Sequence, residues 1–196
     1  MTTESSFALL TAAIAEVAAS PQSMKKLARA ASSRANLERE WVYEIDGTDV
    51  LEDVETRREV SLGGRHHADL EIEGTVIEFK STKPWYAGEK AFEDRIPPRR
   101  NSAEFWLSGD MTRMEERDGF FVLLVSTADE PVHKDWSHHS IGEMRDLGVR
   151  RYTDRLHTRA DQVRAGAVVE VVAAGHGDYA GKTAQHDALI VWWPTA

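Results

Sequence analysis

The sequence predicts an α/β or α+β domain around a mixed central sheet, and three observations carry that expectation. Apolar residues recur at helical spacing through the opening segments of the chain. Three short strand-like segments then follow between residues 56 and 81, separated by Gly63-Gly64 and Glu73-Gly74. After a further helix comes Phe120-Phe121-Val122-Leu123-Leu124-Val125, an unbroken apolar run of the kind found in strands covered on both faces. Helix, three strands, helix and buried strand, in that order, call for helices packed on a mixed sheet.

Each element has its own local reason. Phe7 to Ala19 reads as a first helix, ended by Ser20-Pro21. A second helical region runs from about Ser23 to Ile45 with a break near Ser32-Ser33. Leu37, Trp41 and Ile45 fall at i, i+4 and i+8, and Gly47 suits a helix stop. A strand over Trp41–Ile45 is the competing reading, because short aromatic runs fit both periods. Thr56–Leu62, His67–Ile72 and Thr75–Ser81 are the three strands. Asn101 or Ser102 caps a helix running through Glu116, and Ser140 with Glu143 makes a capping box for a later one. The segments AVVEVVAAG and HDALIVWWP supply two more strands.

Bulk composition narrows the class. The chain has 196 residues, enough for one domain with a self-sufficient core. It contains no cysteine, which excludes disulfides, thiolate zinc sites and a cysteine nucleophile, and fits a cytoplasmic location. No apolar run reaches the length of a membrane span. The first residues lack a basic leader and read as an amphipathic helix rather than a signal peptide. A net charge of -9 argues against indiscriminate nucleic-acid binding, though not against local basic patches.

The third strand carries the chemistry. In Thr75-Val76-Ile77-Glu78-Phe79-Lys80, the glutamate and the lysine are two residues apart and point to one face. If Glu73-Gly74 form a two-residue hairpin turn, Ile72 pairs with Thr75, Leu70 with Ile77 and Asp69 with Glu78. Asp69 and Glu78 then face each other with Cβ atoms roughly 5 Å apart. Lys80 lies one step further on the same face, opposite His67. Ala68, Leu70, Ile72, Ile77 and Phe79 form the apolar reverse. Like charges opposite one another destabilise a sheet unless compensated, and two close carboxylates suit a hard divalent cation. A neighbouring lysine suits work on a bound water or on developing negative charge. A solvated strand face with ion pairs is the plain alternative.

Asp69, then Glu78-Phe79-Lys80 on the strand after a tight turn, resembles the motif of the PD-(D/E)XK, or restriction-endonuclease-like, nuclease superfamily. The resemblance extends to the order of elements from about Leu37 to Thr127. It implies a single restriction-endonuclease-like domain over 1–196, with a core at about 37–127 and a helical extension at about 1–36. It also implies that Asp69 and Glu78 bind magnesium, with manganese able to substitute, that the Phe79 carbonyl adds a ligand, and that Lys80 acts on the attacking water. Many members carry a glutamate on the helix before the first strand; Glu38 matches that place best and Glu44 second. The chain departs from the pattern in having Ala68 at the proline position, no glutamine–tyrosine pair on the following helix, and a net acidity unusual for an enzyme that cuts DNA.

Other residues are less specific. Arg95, Arg99 and Arg100 sit in a proline-containing loop soon after Lys80, with Trp85 and Tyr86 nearby, a combination suited to phosphates and an unstacked base. A solvated loop explains it equally. His66 and His67 read as surface strand residues, and His133, His138 and His139 lack the spacing of a zinc site. Arg151, Arg155 and Arg159 recur every four residues, diluted by Asp154 and Asp161, as on a solvated helix face.

The functional expectation is a magnesium-dependent nuclease hydrolysing phosphodiester bonds, in DNA ahead of RNA, with a homodimer compatible because duplex cleavage uses two sites. The alternative is a non-catalytic acidic protein on the same scaffold, acting through protein contacts or as a nucleic-acid mimic.

Overall fold

Local signals set most of the helix boundaries. The computed structural model describes residues 2–32, 36–82, 103–128 and 140–194. Helix α1 spans Thr3–Ala19 with Thr2 accepting from the Ser5 amide as N-cap. Ser20 ends it and caps α2, Pro21–Ala31, whose proline occupies the first turn. Asn36 caps α3, Leu37–Asp46, and Gly47 closes it. The expected region from Ser23 to Ile45 is thus two helices, and Trp41–Ile45 is helical, not extended. A 3-10 turn at Asp49–Leu51 leads to the sheet.

The protein is an α+β fold with a mixed six-stranded sheet flanked by helices. The strands are β1 Thr56–Gly63, β2 His66–Ile72, β3 Thr75–Thr82, β4 Phe120–Ala128, β5 Val168–Tyr179 and β6 Lys182–Trp192, in the order β1-β2-β3-β4-β6-β5. Among the described residues, only β3 and β4 pair in parallel, joined through α4, Ala103–Glu115. The other helix, α5, is Ile141–Val163 and begins with the expected Ser140–Glu143 capping box. Asn101 and Ser102, the expected caps of α4, lie outside the described residues.

Alternation along β4 divides the core in two. Phe120, Val122 and Leu124 face a layer with Leu10, Ile14, Leu27, Trp41 and Ile45 from α1, α2 and α3. Phe121, Leu123 and Val125 face Met111, Met114, Tyr152 and Leu156 from α4 and α5. Helices α1 and α2 are therefore part of the first of these core layers. Strands β5 and β6 complete the sheet, with β6 paired along β4 and β5 at the edge. Gly177 of β5 lets α2 approach closely, since a Cβ there would sit 2.1 Å from the Met24 carbonyl oxygen.

The hairpin forms as its turn residues dictate. Glu73 and Gly74 have φ of 51° and 82°, the pair of left-handed residues of a type I′ turn. Ile72 pairs with Thr75, Glu71 with Val76 and Leu70 with Ile77, in the expected register. Past that point the strands depart from a plain ladder, and the departure builds the site.

Candidate active site

Three irregularities coincide at Asp69. On one side, Arg58 pairs with Leu70 and Val60 with Ala68, while Glu59 between them takes a left-handed φ of 52°. On the other side, the β2–β3 pairing runs only as far as Leu70↔Ile77. A regular ladder would send the Phe79 amide to the Ala68 carbonyl. Instead it donates to Asp69 Oδ2 at 2.7 Å. Ala68, expected on the same face as Leu70, packs with Val76 in the α4/α5 layer. That corrects the strict alternation: β2 turns over between Leu70 and Ala68, and Asp69 sits in the turn-over with its carboxylate directed at β3.

Glu78 and Lys80 pair with Phe121 and Leu123 of β4, so they share the face covered by α4 and α5. Glu78 is only 8% exposed. The Lys80 ammonium ion-pairs with Glu78, donates to the Phe79 carbonyl at 3.1 Å, and lies 3.8 Å from Asp110 Oδ2. Glu38 reaches the end of β3 from α3, where its Oε1 accepts from the Ser81 amide at 2.8 Å and the Ser81 hydroxyl at 3.1 Å. Glu44, the other candidate, points elsewhere and pairs with Lys26 at 2.6 Å. Of the two, Glu38 is the one that reaches β3.

The electrostatics follow from crowding acids in a poorly hydrated place. Burial, and then Asp69, push Glu78 up to about 7, against the pull of Lys80 and Arg113. Burial also raises Asp69 above the ordinary range; the Phe79 amide and Lys80 oppose it, while Glu38 and Glu59 add repulsion. Asp69 thus lies among three other carboxylates, Glu78, Glu38 and Glu59, around the end of the β2–β3 pairing.

The donors fit a hard divalent cation. Asp69 and Glu78 offer carboxylate oxygens and Phe79 a carbonyl, and burial with the neighbouring Asp69 disfavours the charged form of Glu78, which a bound cation would offset. Among the described residues, no group of three or more histidine, cysteine or acidic side chains is arranged to hold an ion. The protein would contribute few ligands and leave the other positions to water, which is how magnesium is commonly held.

Glu59, Asp110 and Arg113 escaped the sequence reading. Asp110, 6% exposed on α4, ion-pairs with Arg113 and approaches Lys80. The available signal was the i,i+3 spacing of an acid and an arginine on the helix that follows the lysine strand. Arg95, Arg99 and Arg100, with Trp85 and Tyr86, lie outside the described residues, as do His133, His138 and His139. His66 and His67 are exposed on β2, as expected. Among the described residues, no helix is long and apolar enough to cross a membrane. Comparison with protein-family models, with curated proteins and with solved structures finds no match to this chain.

Proposed function

We propose that the chain is a divalent-metal-dependent nuclease on a restriction-endonuclease-like core, hydrolysing phosphodiester bonds, in DNA ahead of RNA. The observation that carries this reading is the convergence of Asp69, Glu78, Lys80 and Glu38 at the one place where the hairpin pairing gives way. A merely solvated strand face has no reason to bury Glu78 beside Asp69, or to hold Glu59 in a strained conformation opposite it.

In this reading Asp69, Glu78 and the Phe79 carbonyl hold magnesium or manganese. The ion supplies charge neutralisation at the phosphate and a more acidic water. Asp69 keeps its carboxylate oriented through the Phe79 amide, and Glu38 keeps its own through Ser81. Lys80, held beside the carbonyl of Phe79, directs its ammonium at the attacking water or at the charge developing on the phosphate. Arg95, Arg99 and Arg100 would supply backbone contacts, and a cytoplasmic homodimer remains part of the proposal for duplex substrates.

The test is a cleavage assay on single-stranded, duplex and branched DNA and on RNA, with magnesium or manganese, comparing wild type with Lys80→Ala. Cleavage lost in the variant supports the reading. Folded wild-type protein that cuts nothing, and takes up neither metal in calorimetry, overturns it in favour of a non-catalytic acidic binding protein.

A further inference from the structure

Lys80 cannot keep its present partner and take part in a metal site at once. Its ammonium is ion-paired with Glu78, the carboxylate assigned above to the cation, and it also donates to the Phe79 carbonyl. A divalent ion on those oxygens would displace the ammonium and repel it. A second negative group, from another element, already stands beside it: Asp110 Oδ2 is 3.8 Å from Lys80 Nζ.

We propose that Asp110 of α4, fixed by Arg113, is the positioning residue that holds Lys80 in the site when Glu78 turns to a cation. The inference rests on the nuclease reading for its purpose, but its geometry is independent of it. Asp110 is itself unsuited to being a further metal ligand, because two cationic side chains, Arg113 and Lys80, already face its carboxylate. Arg113 has room to do so because Gly109 lies alongside: a Cβ there would come within 3.3 Å of Arg113 Nη1. Asp110 also belongs to a helix anchored through Met111 and Met114 in the α4/α5 core layer. The lysine would thus pivot from a partner on its own strand to a fixed one on the covering helix, staying beside the reacting centre.

The experiment reads the Lys80 amine directly, by pulsed acetylation and mass spectrometry, in EDTA. Glu78→Gln removes the strand partner without any metal, and Lys80 should then stay nearly as protected as in the wild type. Adding Asp110→Asn to Glu78→Gln should raise Lys80 labelling severalfold, while circular dichroism shows the fold retained. Equal labelling in the single and double variants overturns the inference. In turnover, Asp110→Asn should lower kcat roughly 10-fold with KM unchanged, the scale lost when an orienting partner is removed. Asp110→Glu should restore part of it; a change confined to KM would also overturn the role. Metal uptake by wild type is followed separately in calorimetry. Protection that depends on Asp110 without any magnesium uptake would leave the anchor standing and remove the nuclease reading.

Discussion

The Phe79 amide and the Asp69 carboxylate meet at 2.7 Å where the hairpin pairing ends, so one side chain takes the role of a ladder carbonyl. The same carboxylate repels Glu78 and helps raise its pKa. Asp69 is therefore at once a structural acceptor and a destabilising charge, and two substitutions separate these roles.

Asp69→Asn keeps an oxygen for the Phe79 amide and removes the charge. At pH 8 in EDTA it should melt above the wild type, by an amount on the order of 1 kcal/mol, the size of a cross-strand charge penalty. Asp69→Ala relieves the same repulsion but strands the Phe79 amide, at a cost of about 1–3 kcal/mol. It should melt no higher than the wild type. Thermal denaturation of the three proteins in EDTA decides the matter, and an asparagine variant melting lowest would mean that the charge is stabilising.

The pH dependence has two opposed sources. Glu78 rises from 4.5 to about 7 on folding, so the native state holds its proton more tightly. Its contribution is fully present below about 4.5 and is lost as pH rises through 7. His186, fully buried on β6 with Nδ1 against Ser126 Oγ at 2.8 Å, falls from 6.5 to about 4 because burial disfavours its charge. Its contribution is present above about 6.5 and is lost as pH falls toward 4. Between these limits the two slopes, each at most about 1.4 kcal/mol per pH unit, oppose one another. Relative to wild type, Glu78→Gln should gain stability as pH rises from 5 to 8. Replacing His186 with glutamine should instead gain as pH falls from 7 to 5. Urea titrations in EDTA across that range read both, and parallel profiles for all three proteins would refute the assignment.

Gly119 links α4 to β4 beside β3. A Cβ at this position would lie 2.5 Å from the Val76 carbonyl oxygen and 2.9 Å from Val76 Cγ2, two residues before Glu78. The backbone oxygen cannot swing aside, so Gly119→Ala must shift β4 or α4 against β3. A loss of about 1–3 kcal/mol is expected, as for overpacked interiors. A melt matching the wild type would show that the junction yields more easily than its geometry suggests.

Much of this fold was legible in local signals, because turns and alternation act over a few residues. Glu73-Gly74 set the register through Leu70↔Ile77, the apolar run at Phe120 announced a strand covered on both faces, and the spacing of Leu37, Trp41 and Ile45 marked the helix that carries Glu38. What alternation misses is its own interruption. Nothing in His67-Ala68-Asp69-Leu70 announces that Ala68 changes layers, since the cause lies in the neighbouring strands at Glu59 and Phe79. Asp110 and Lys80 are thirty positions apart by residue number, and their approach depends on how α4 lies over the sheet. The docking of α1 and α2 on the sheet is likewise a product of β5 and β6 closing its far edge, a pairing that no short window contains.

Glu38 and Glu44 lie on one helix and provide an internal control for the site. Glu38 is tied to Ser81 on β3 and contributes to the raised pKa of Asp69. Glu44 faces Lys26 on α2, away from it. Glu38→Gln preserves the oxygen that accepts from Ser81, so the fold should hold while the charge near the proposed cation site is lost. Removing a carboxylate that supports a metal site commonly costs roughly 10–100-fold in metal affinity or activity. Manganese affinity in calorimetry and cleavage rate should both fall on that scale in Glu38→Gln, with the metal-free melting temperature nearly unchanged. Glu44→Gln loses only an ion pair with a half-exposed lysine, worth less than about 1 kcal/mol, and should bind metal and cleave as the wild type does. Equal effects from the two substitutions would mean that α3 acts on the site only through its net charge, and would remove Glu38 from it.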